Sequence, residues 1–422
     1  MSDRAATETD VAVVGAGPAG IAAAVSAAAR GRAVVLLDSA ARPGGQIWRH
    51  RSPEGLPSLG RRWLARLRHS SVTWVPSATV LDAGETRTLL AEREGRAFAV
   101  RYRALVIATG AAERFIPFPG WTLPNVFGVG GLQALLKTGT IVAGKRVVLA
   151  GSGPLLLPVA AALARAGARL AVVAEQAPAA SVYAFAAGLI GSPARLGQAA
   201  RYRAAFPGAR YRCGTWVLRV DAAGAGLMVS LTDGRRVWSE LADMAGIGYG
   251  LVPSVGLAEL AGCEIRNGVV VTGESQQSTV PGIYAAGEST GIAGAEAAIA
   301  EGVVAGRAAA GAPTGRPGRA SDRFAARVAR AFALRSELRA IADSRTIVCR
   351  CEDVRLGQID PAWSSRQAKL YTRAGMGPCQ GRVCQPALEF LFGTRADPAR
   401  VPLFAAPVAT LAAGGSLPEG DT

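Results

Sequence analysis

Four cysteines share one short stretch of the chain. Cys349 and Cys351 form a C-x-C pair in "CRCEDV", and Cys379 and Cys384 stand with four residues between them in the glycine-bracketed "GMGPCQGRVC". Four thiolates in one segment suit either a closed tetrahedral zinc site or a [2Fe-2S] cluster. Paired zinc ligands more often have two or more residues between them, so the C-x-C spacing leans towards iron and sulfide, with zinc and a metal-free segment kept as alternatives. The two remaining cysteines, Cys213 and Cys263, stand alone and read as small buried hydrophobes.

A second kind of chemistry is written in glycine. "DVAVVGAGPAGIAAAVSAAARGRAVVLLDSA" reads as a buried strand, a tight turn, an alanine-rich helix and a second strand ending at Asp38. In such a unit Gly15 permits the turn, Gly17 lets backbone approach a pyrophosphate, and Gly20 allows close packing of helix on strand. The phosphate charge then sits over the helix N-terminus, just ahead of Pro18. Asp38, eighteen residues after Gly20, is placed to accept hydrogen bonds from a ribose diol.

The pattern returns in "KRVVLAGSGPLLLPVAAALARAGARLAVVAEQAP", an internal duplication in which Gly151 and Gly153 survive. Its third glycine position is Leu156, and the residue aligned with Asp38 is Ala174, with Glu175 one place late. The leucine is expected to push the helix away or crowd a pyrophosphate, and the displaced carboxylate to point to the other face of the strand end. This second unit therefore reads as a structural relic or a site for a non-reacting adenine nucleotide. If a pyridine nucleotide binds, NADH is favoured over NADPH, because no arginine pair follows Glu175. Further on, "ALVIATG" closes a strand at Thr109 and Gly110, and "VPGIYAAGESTGIAGAEAAIAEG" carries a strand to Gly287 and Glu288 before a helix expected from near Ser289.

A chain of 422 residues, 50% hydrophobic, is long enough for two or three packed domains around these motifs. No stretch approaches the length of apolar run that spans a bilayer, and the N-terminus enters a strand pattern directly. The expected place is the cytoplasm, with peripheral membrane association left open, where reduced thiols favour metal binding or catalysis over disulfides. The formal charge of +16 comes from scattered arginines, with Lys137, Lys145 and Lys369 the only lysines, so no nucleic-acid partner is expected. The densest basic stretch, "LGRRWLARLRHS", sets Arg62, Arg66 and His69 on one helical face and reads as solvated. With His50 and His69 the only histidines, Ser-His-Asp hydrolysis and multi-histidine metal sites are not expected.

Together these segments resemble the two-dinucleotide-domain flavoproteins, the family of thioredoxin reductase and glutathione reductase. The resemblance implies FAD, its ADP half on Gly15, Gly17, Pro18, Gly20 and Asp38, with Gly45 and Gln46 of "RPGGQIWR" and Thr109 and Gly110 beside it. It further implies that Glu288, next to Gly287, meets the ribityl hydroxyls, and that the following helix aims its positive end at the flavin N1–C2 carbonyl region. The redox cysteine pair of that family has no counterpart here, which excludes disulfide reduction. The C-terminal quartet resembles the [2Fe-2S] domain of bacterioferritin-associated ferredoxin, with Cys349, Cys351, Cys379 and Cys384 as ligands. Gly375, Gly377 and Gly381 would turn backbone N–H groups towards the sulfurs.

From Val11 to about Phe392 the chain resembles the α-type subunit of hetero-oligomeric amine and amino-acid dehydrogenases, a group that includes opine oxidases, D-hydroxyproline dehydrogenase and hydrogen cyanide synthase. The resemblance implies a partner flavoprotein like D-amino-acid oxidase, room for a small third subunit, and an electron acceptor such as a quinone. The expected fold is α/β: two Rossmann-like domains and a small helical [2Fe-2S] domain. The expected boundaries are 1–122 with 252–320 for FAD, 123–251 for the second nucleotide fold, 321–345 for a helical connector, 346–395 for the cluster domain and 396–422 for a tail. A self-sufficient NADH:acceptor reductase and a non-enzymatic assembly subunit are the alternatives. The substrate is not legible, since the discriminating pocket would belong to another polypeptide.

Overall fold

The computed structural model describes residues 7–52, 55–84, 86–315 and 320–414; the end of the expected tail, 415–422, lies outside them. The chain divides into two compact units, 1–112 with 253–325 and 398–422, and 113–252 with 326–397. Among the described residues no helix is long and apolar enough to cross a membrane.

The first unit is built on a seven-stranded sheet. Strands Thr73–Val75, Val34–Leu37, Thr7–Val14 and Arg96–Ile107 run parallel, and the central stretches Val34–Leu37 and 11–14 are apolar and buried on both faces. The long strand Arg96–Ile107 serves two partners along one edge. Its first half pairs antiparallel with Thr88–Arg93, and its second half pairs parallel with Ile283–Ala285, which arrives from much later in the chain.

The helix Pro18–Ala28 follows the first strand, and helix Ala295–Ala309 lies against it. The contact depends on the smallest side chains. A Cβ at Gly302 would stand 2.1 Å from the Ala19 carbonyl oxygen, and one at Gly306 2.1 Å from that of Ala23. Backbone therefore packs on backbone, and a side chain at either position would force the helices apart. The basic helix Ser58–Arg68 buries Trp63, Leu64 and Leu67 and leaves Arg62 and Arg66 exposed, the Arg66 guanidinium 4.7 Å from the Trp63 ring.

The second unit repeats the plan. A five-stranded parallel sheet has the order Arg210–Cys213, Arg169–Glu175, Arg146–Gly151, Met244–Gly248 and Val126–Phe127. A three-stranded antiparallel sheet, Trp216–Ala223 with Gly226–Thr232 and Val237–Ala242, packs with it around Val148, Ala150, Val172, Val229 and Leu231. At the start of helix Val129–Lys137 the Glu113 carboxylate accepts the N–H groups of Gly130 at 2.9 Å and Gly131 at 3.3 Å. Burial pushes the Glu113 pKa up, against those hydrogen bonds.

The cysteine segment belongs to this unit. Helix Ala320–Ala331 leads into an irregular stretch at 332–335 and a short 3₁₀ turn Ser336–Ala340, whose Leu338 is fully buried in the second unit's core. The segment itself comprises a small strand pair, Ile347–Cys349 with Val354–Arg355, and helices Ser365–Thr372 and Cys384–Phe392 around its own core of Val348, Val354, Ile359 and Leu388. Trp121 Nε1 donates to the Ile347 carbonyl at 2.6 Å, fastening the first cysteine strand to the second unit.

Candidate functional site

The first glycine turn sits at the carboxyl ends of the central strands. Gly15 has φ +103°, and a Cβ there would stand 2.2 Å from the Ala108 carbonyl oxygen, so only glycine fits. One step past the Val14–Leu37 pair, Asp38 stands opposite Gly15. Its carboxylate accepts the N–H of Ala16 at 2.5 Å and of Ala40 at 2.7 Å. Gly20 packs the helix onto the turn, for a Cβ there would lie 1.7 Å from the Gly15 oxygen. Gly17 differs: a Cβ would meet no protein atom within 4 Å, so the space above it is open, as a pyrophosphate requires. Pro18 supplies the first helical residue, and Gly45, at φ +58°, leans on the turn, where a Cβ would come within 3.0 Å of Gly17 Cα. Gln46 is exposed beside it.

Two further segments of the first unit complete this rim. The Thr109 hydroxyl donates to the Ser254 carbonyl at 2.6 Å, and Ser254 N–H returns to the Gly110 carbonyl, so Thr109 offers backbone rather than hydroxyl to a ligand. Gly287, at φ +81°, donates its N–H to Glu301 at 2.8 Å, and the Thr290 hydroxyl donates to the same carboxylate oxygen at 2.9 Å. Glu288 makes no hydrogen bond to the described residues, and burial alone pushes its pKa up. A largely buried carboxyl with no protein partner fits a polyhydroxyl ligand chain. The helix expected from near Ser289 begins instead at Ala295. Gly291 at φ +148° and Gly294 at φ +87° hold the intervening backbone out of the right-handed helical region, and Glu301 occupies the turn.

The second glycine turn corrects another expectation. Between Leu170 and Val172 the register of the strand slips by one residue, a β-bulge at Ala171. The bulge absorbs the late placement of the acid, and Glu175 ends up opposite Gly151 as Asp38 is opposite Gly15. Its carboxylate is fully buried and accepts the N–H groups of Gly153 and Ala177, both at 2.8 Å. What has changed is the helix. It starts at Leu156, two residues later relative to its turn than the helix at Pro18, because Pro158 has no N–H to bond the residue-154 carbonyl and its ring would clash there. Leu156 is buried with Leu132, Leu149 and Val159 rather than crowding the turn.

In the cysteine segment Cys349 and Cys384 are buried, Cys379 is half-buried and Cys351 exposed. Among the described residues no three His, Cys, Asp or Glu side chains are grouped to hold a single metal ion. The Gly375 N–H lies 3.5 Å from the Cys349 sulfur, and the neighbouring Cys384 side chain with that N–H holds the Cys349 pKa down at about 5, while the Cys384 sulfur lies 3.9 Å from the Gly381 carbonyl oxygen. Four thiols in one segment suit a two-iron cluster, which takes two protein ligands on each iron. Gly375 and Gly381 have φ near +80°, and a Cβ at Gly377 would lie 2.3 Å from Cys351 Cβ, so the loop wraps the thiols with backbone alone. Outside the quartet Cys263 is buried, whereas Cys213 is half-buried at a strand end. Sequence reading missed Glu301, the bulge at Ala171 and the Gly302–Gly306 contact; the four-residue spacing of two glycines in an alanine-rich helix was the one usable signal.

These features define a flavin oxidoreductase with two dinucleotide-type folds and an iron–sulfur segment. The chain belongs to the pyridine nucleotide-disulphide oxidoreductase family, whose model matches residues 9–302, and a BFD-like [2Fe-2S] binding domain matches residues 347–393. It therefore carries FAD and a [2Fe-2S] cluster. It is 35% identical over 430 residues to an opine oxidase subunit of Rhizobium meliloti strain 1021, covering 92% of this chain and 93% of that one. It is 33% identical over 419 residues to hydrogen cyanide synthase subunit HcnB of Pseudomonas aeruginosa, covering 88% and 90%. The crystal structure of L-proline dehydrogenase from P. horikoshii shares the fold at a TM-score of 0.66 and 20% identity, covering 97% of this chain and 81% of that one.

Two outcomes follow. Since a side chain at Gly17 meets no protein atom, Gly17→Val should fold with unchanged apoprotein stability yet retain no FAD; stoichiometric flavin absorbance in the purified variant would contradict the placement. Burial pushes the Glu175 pKa up to about 7, whereas in the unfolded chain it ionises near about 4.3. The folded state holds this proton more tightly, so the stabilisation is complete below about pH 4 and is lost as pH rises through about 7. Glu175→Gln should flatten that fall in urea-unfolding curves of the second unit.

Proposed function

We propose that this chain is the electron-transfer subunit of a hetero-oligomeric cytoplasmic dehydrogenase. A partner flavoprotein oxidises the C–N bond of an amino-acid or opine-type substrate, and this chain passes the electrons to a quinone or another carrier. The observation that supports the reading is the coexistence, in one chain, of an open dinucleotide turn and a quartet of free cysteines in one small segment. FAD accepts electrons in pairs and a [2Fe-2S] cluster passes them singly, so a protein holding both exchanges the two modes. Relatives over nearly the whole length carry the names of enzyme subunits, which supports the need for a partner.

The chain's own residues have binding and orienting roles in this scheme. Gly15, Gly17, Pro18 and Gly20 admit the pyrophosphate of FAD to the backbone, and Asp38 orients the adenine ribose. Gly45 and Gln46 border the same turn, Thr109 and Gly110 offer backbone, and Glu288 beside Gly287 receives the ribityl hydroxyls. Cys349, Cys351, Cys379 and Cys384 are the cluster ligands, with the Gly375 N–H directed at the Cys349 sulfur.

A second reading, a self-sufficient NADH:acceptor reductase, is favoured by one observation: the bulge brings Glu175 into the register of a ribose-binding acid beside Gly151 and Gly153. The experiment that separates the two is stopped-flow mixing of the purified chain with NADH, against turnover of the assembled complex with amino-acid substrates. NADH should leave the flavin oxidised on the timescale of turnover, and flavin bleaching within that time by micromolar NADH would promote the reductase.

Anaerobically purified protein should contain about two iron atoms and two acid-labile sulfides per chain, as cluster stoichiometry requires. Changing any one of Cys349, Cys351, Cys379 or Cys384 to Ala should remove the iron, spare the flavin and depress electron delivery to the acceptor. Cys213→Ala and Cys263→Ala should keep full iron. A quartet variant with unchanged turnover would remove the cluster segment from the electron path.

A further inference from the structure

The crevice of the second nucleotide fold lies where such sheets bind ligands, outside the carboxyl ends of the strands. Ser152 follows strand Arg146–Gly151, and Gln176 follows strand Arg169–Glu175; both side chains are buried. Neither faces solvent or an open cleft. Ser152 Oγ donates to the Phe332 carbonyl at 3.0 Å, and Gln176 Nε2 donates to the Ala333 carbonyl at 3.0 Å and to Ser152 Oγ at 2.9 Å. Gln176 Oε1 accepts the N–H of Arg335 at 3.2 Å, so this one amide binds both an acceptor and a donor of the stretch 332–335.

The flanking rings complete the enclosure. Phe332 meets the Phe185 ring edge-on at 5.1 Å, and the Arg335 guanidinium lies 4.4 Å from the Trp216 ring, a flat π-stacking group over an aromatic face. In the first unit the corresponding space beside Asp38 is the expected seat of a nucleotide's adenosine. In the second, a peptide segment of the same chain meets the residues that border it.

We propose that residues 332–335 are a built-in occupant of the adenosine side of the second nucleotide fold, with Gln176 as the positioning residue that fastens the segment leading to the cysteine quartet. The duplicated fold then serves as a cradle for its own connector and admits no adenine nucleotide on that side. This holds whichever substrate the complex oxidises, because it concerns only contacts within the second unit.

The test uses the FAD-loaded full-length protein and ADP as probe. Equilibrium dialysis of the native protein should show no saturable ADP binding up to millimolar concentration. Hydrogen exchange should find the amides of 332–335 protected, with rates that ADP does not change. In Gln176→Ala the Arg335 amide loses its acceptor and should exchange about fivefold faster or more, the scale of one hydrogen bond, while iron and flavin content stay at native levels. Saturable ADP binding to the native protein, with or without faster exchange at 332–335, would overturn the proposal. So would unchanged exchange of these amides in Gln176→Ala. The dialysis arm needs no variant and stands even if Gln176→Ala does not fold.

Discussion

One interaction recurs at four turns: a carboxylate, drawn in from solvent, that gathers N–H groups which the turn leaves unpaired. Asp38 does this for the first glycine turn, Glu175 for the second, Glu301 for the Gly287 turn and Glu113 for the start of helix Val129–Lys137. Glycine permits these turns sterically, but glycine alone does not hold them, since it is also the residue with most freedom to lose. The carboxylates supply the restraint, and burial sets its cost: the Glu113 and Glu175 pKa values rise because water is excluded from them.

The two nucleotide folds are the same device carried to different ends. In the first, the helix begins directly at the turn and the space above Gly17 is open. In the second, the acid is preserved in register by a bulge, but Pro158 delays the helix, and the connector lies against Ser152 and Gln176. The difference lies in what stands in front of the turn, while the turn itself is retained.

Much of this was legible in the sequence, and the reasons it was not fully so are local. The first glycine unit was plain because its residues act through backbone sterics at fixed short spacing. Glu175 was misread because a bulge changes register without changing composition, so an alignment by counting places the acid on the wrong face. The helix after Glu288 was placed too early because Gly291 and Gly294 hold the backbone out of it while its alanine-rich composition still favours helix. The role of Gln176 could not be read at all, since its partners in the connector, Ala333 and Arg335, lie more than 150 residues further along the chain.

The interleaving of the two units carries a consequence for biosynthesis. Strand Arg96–Ile107 waits for Ile283–Ala285, and the helix at Pro18 for Gly302 and Gly306. Leu81 receives the N–H of Leu403 only when nearly all of the chain has been made. The second unit is likewise incomplete until 326–397 emerge. A nascent chain on the ribosome therefore cannot finish one unit before starting the other, as sequential domains do. Its alanine-rich helix and apolar strands stay partly uncovered through most of translation, which makes this a protein whose yield depends on protection during synthesis as much as on the stability of the finished fold.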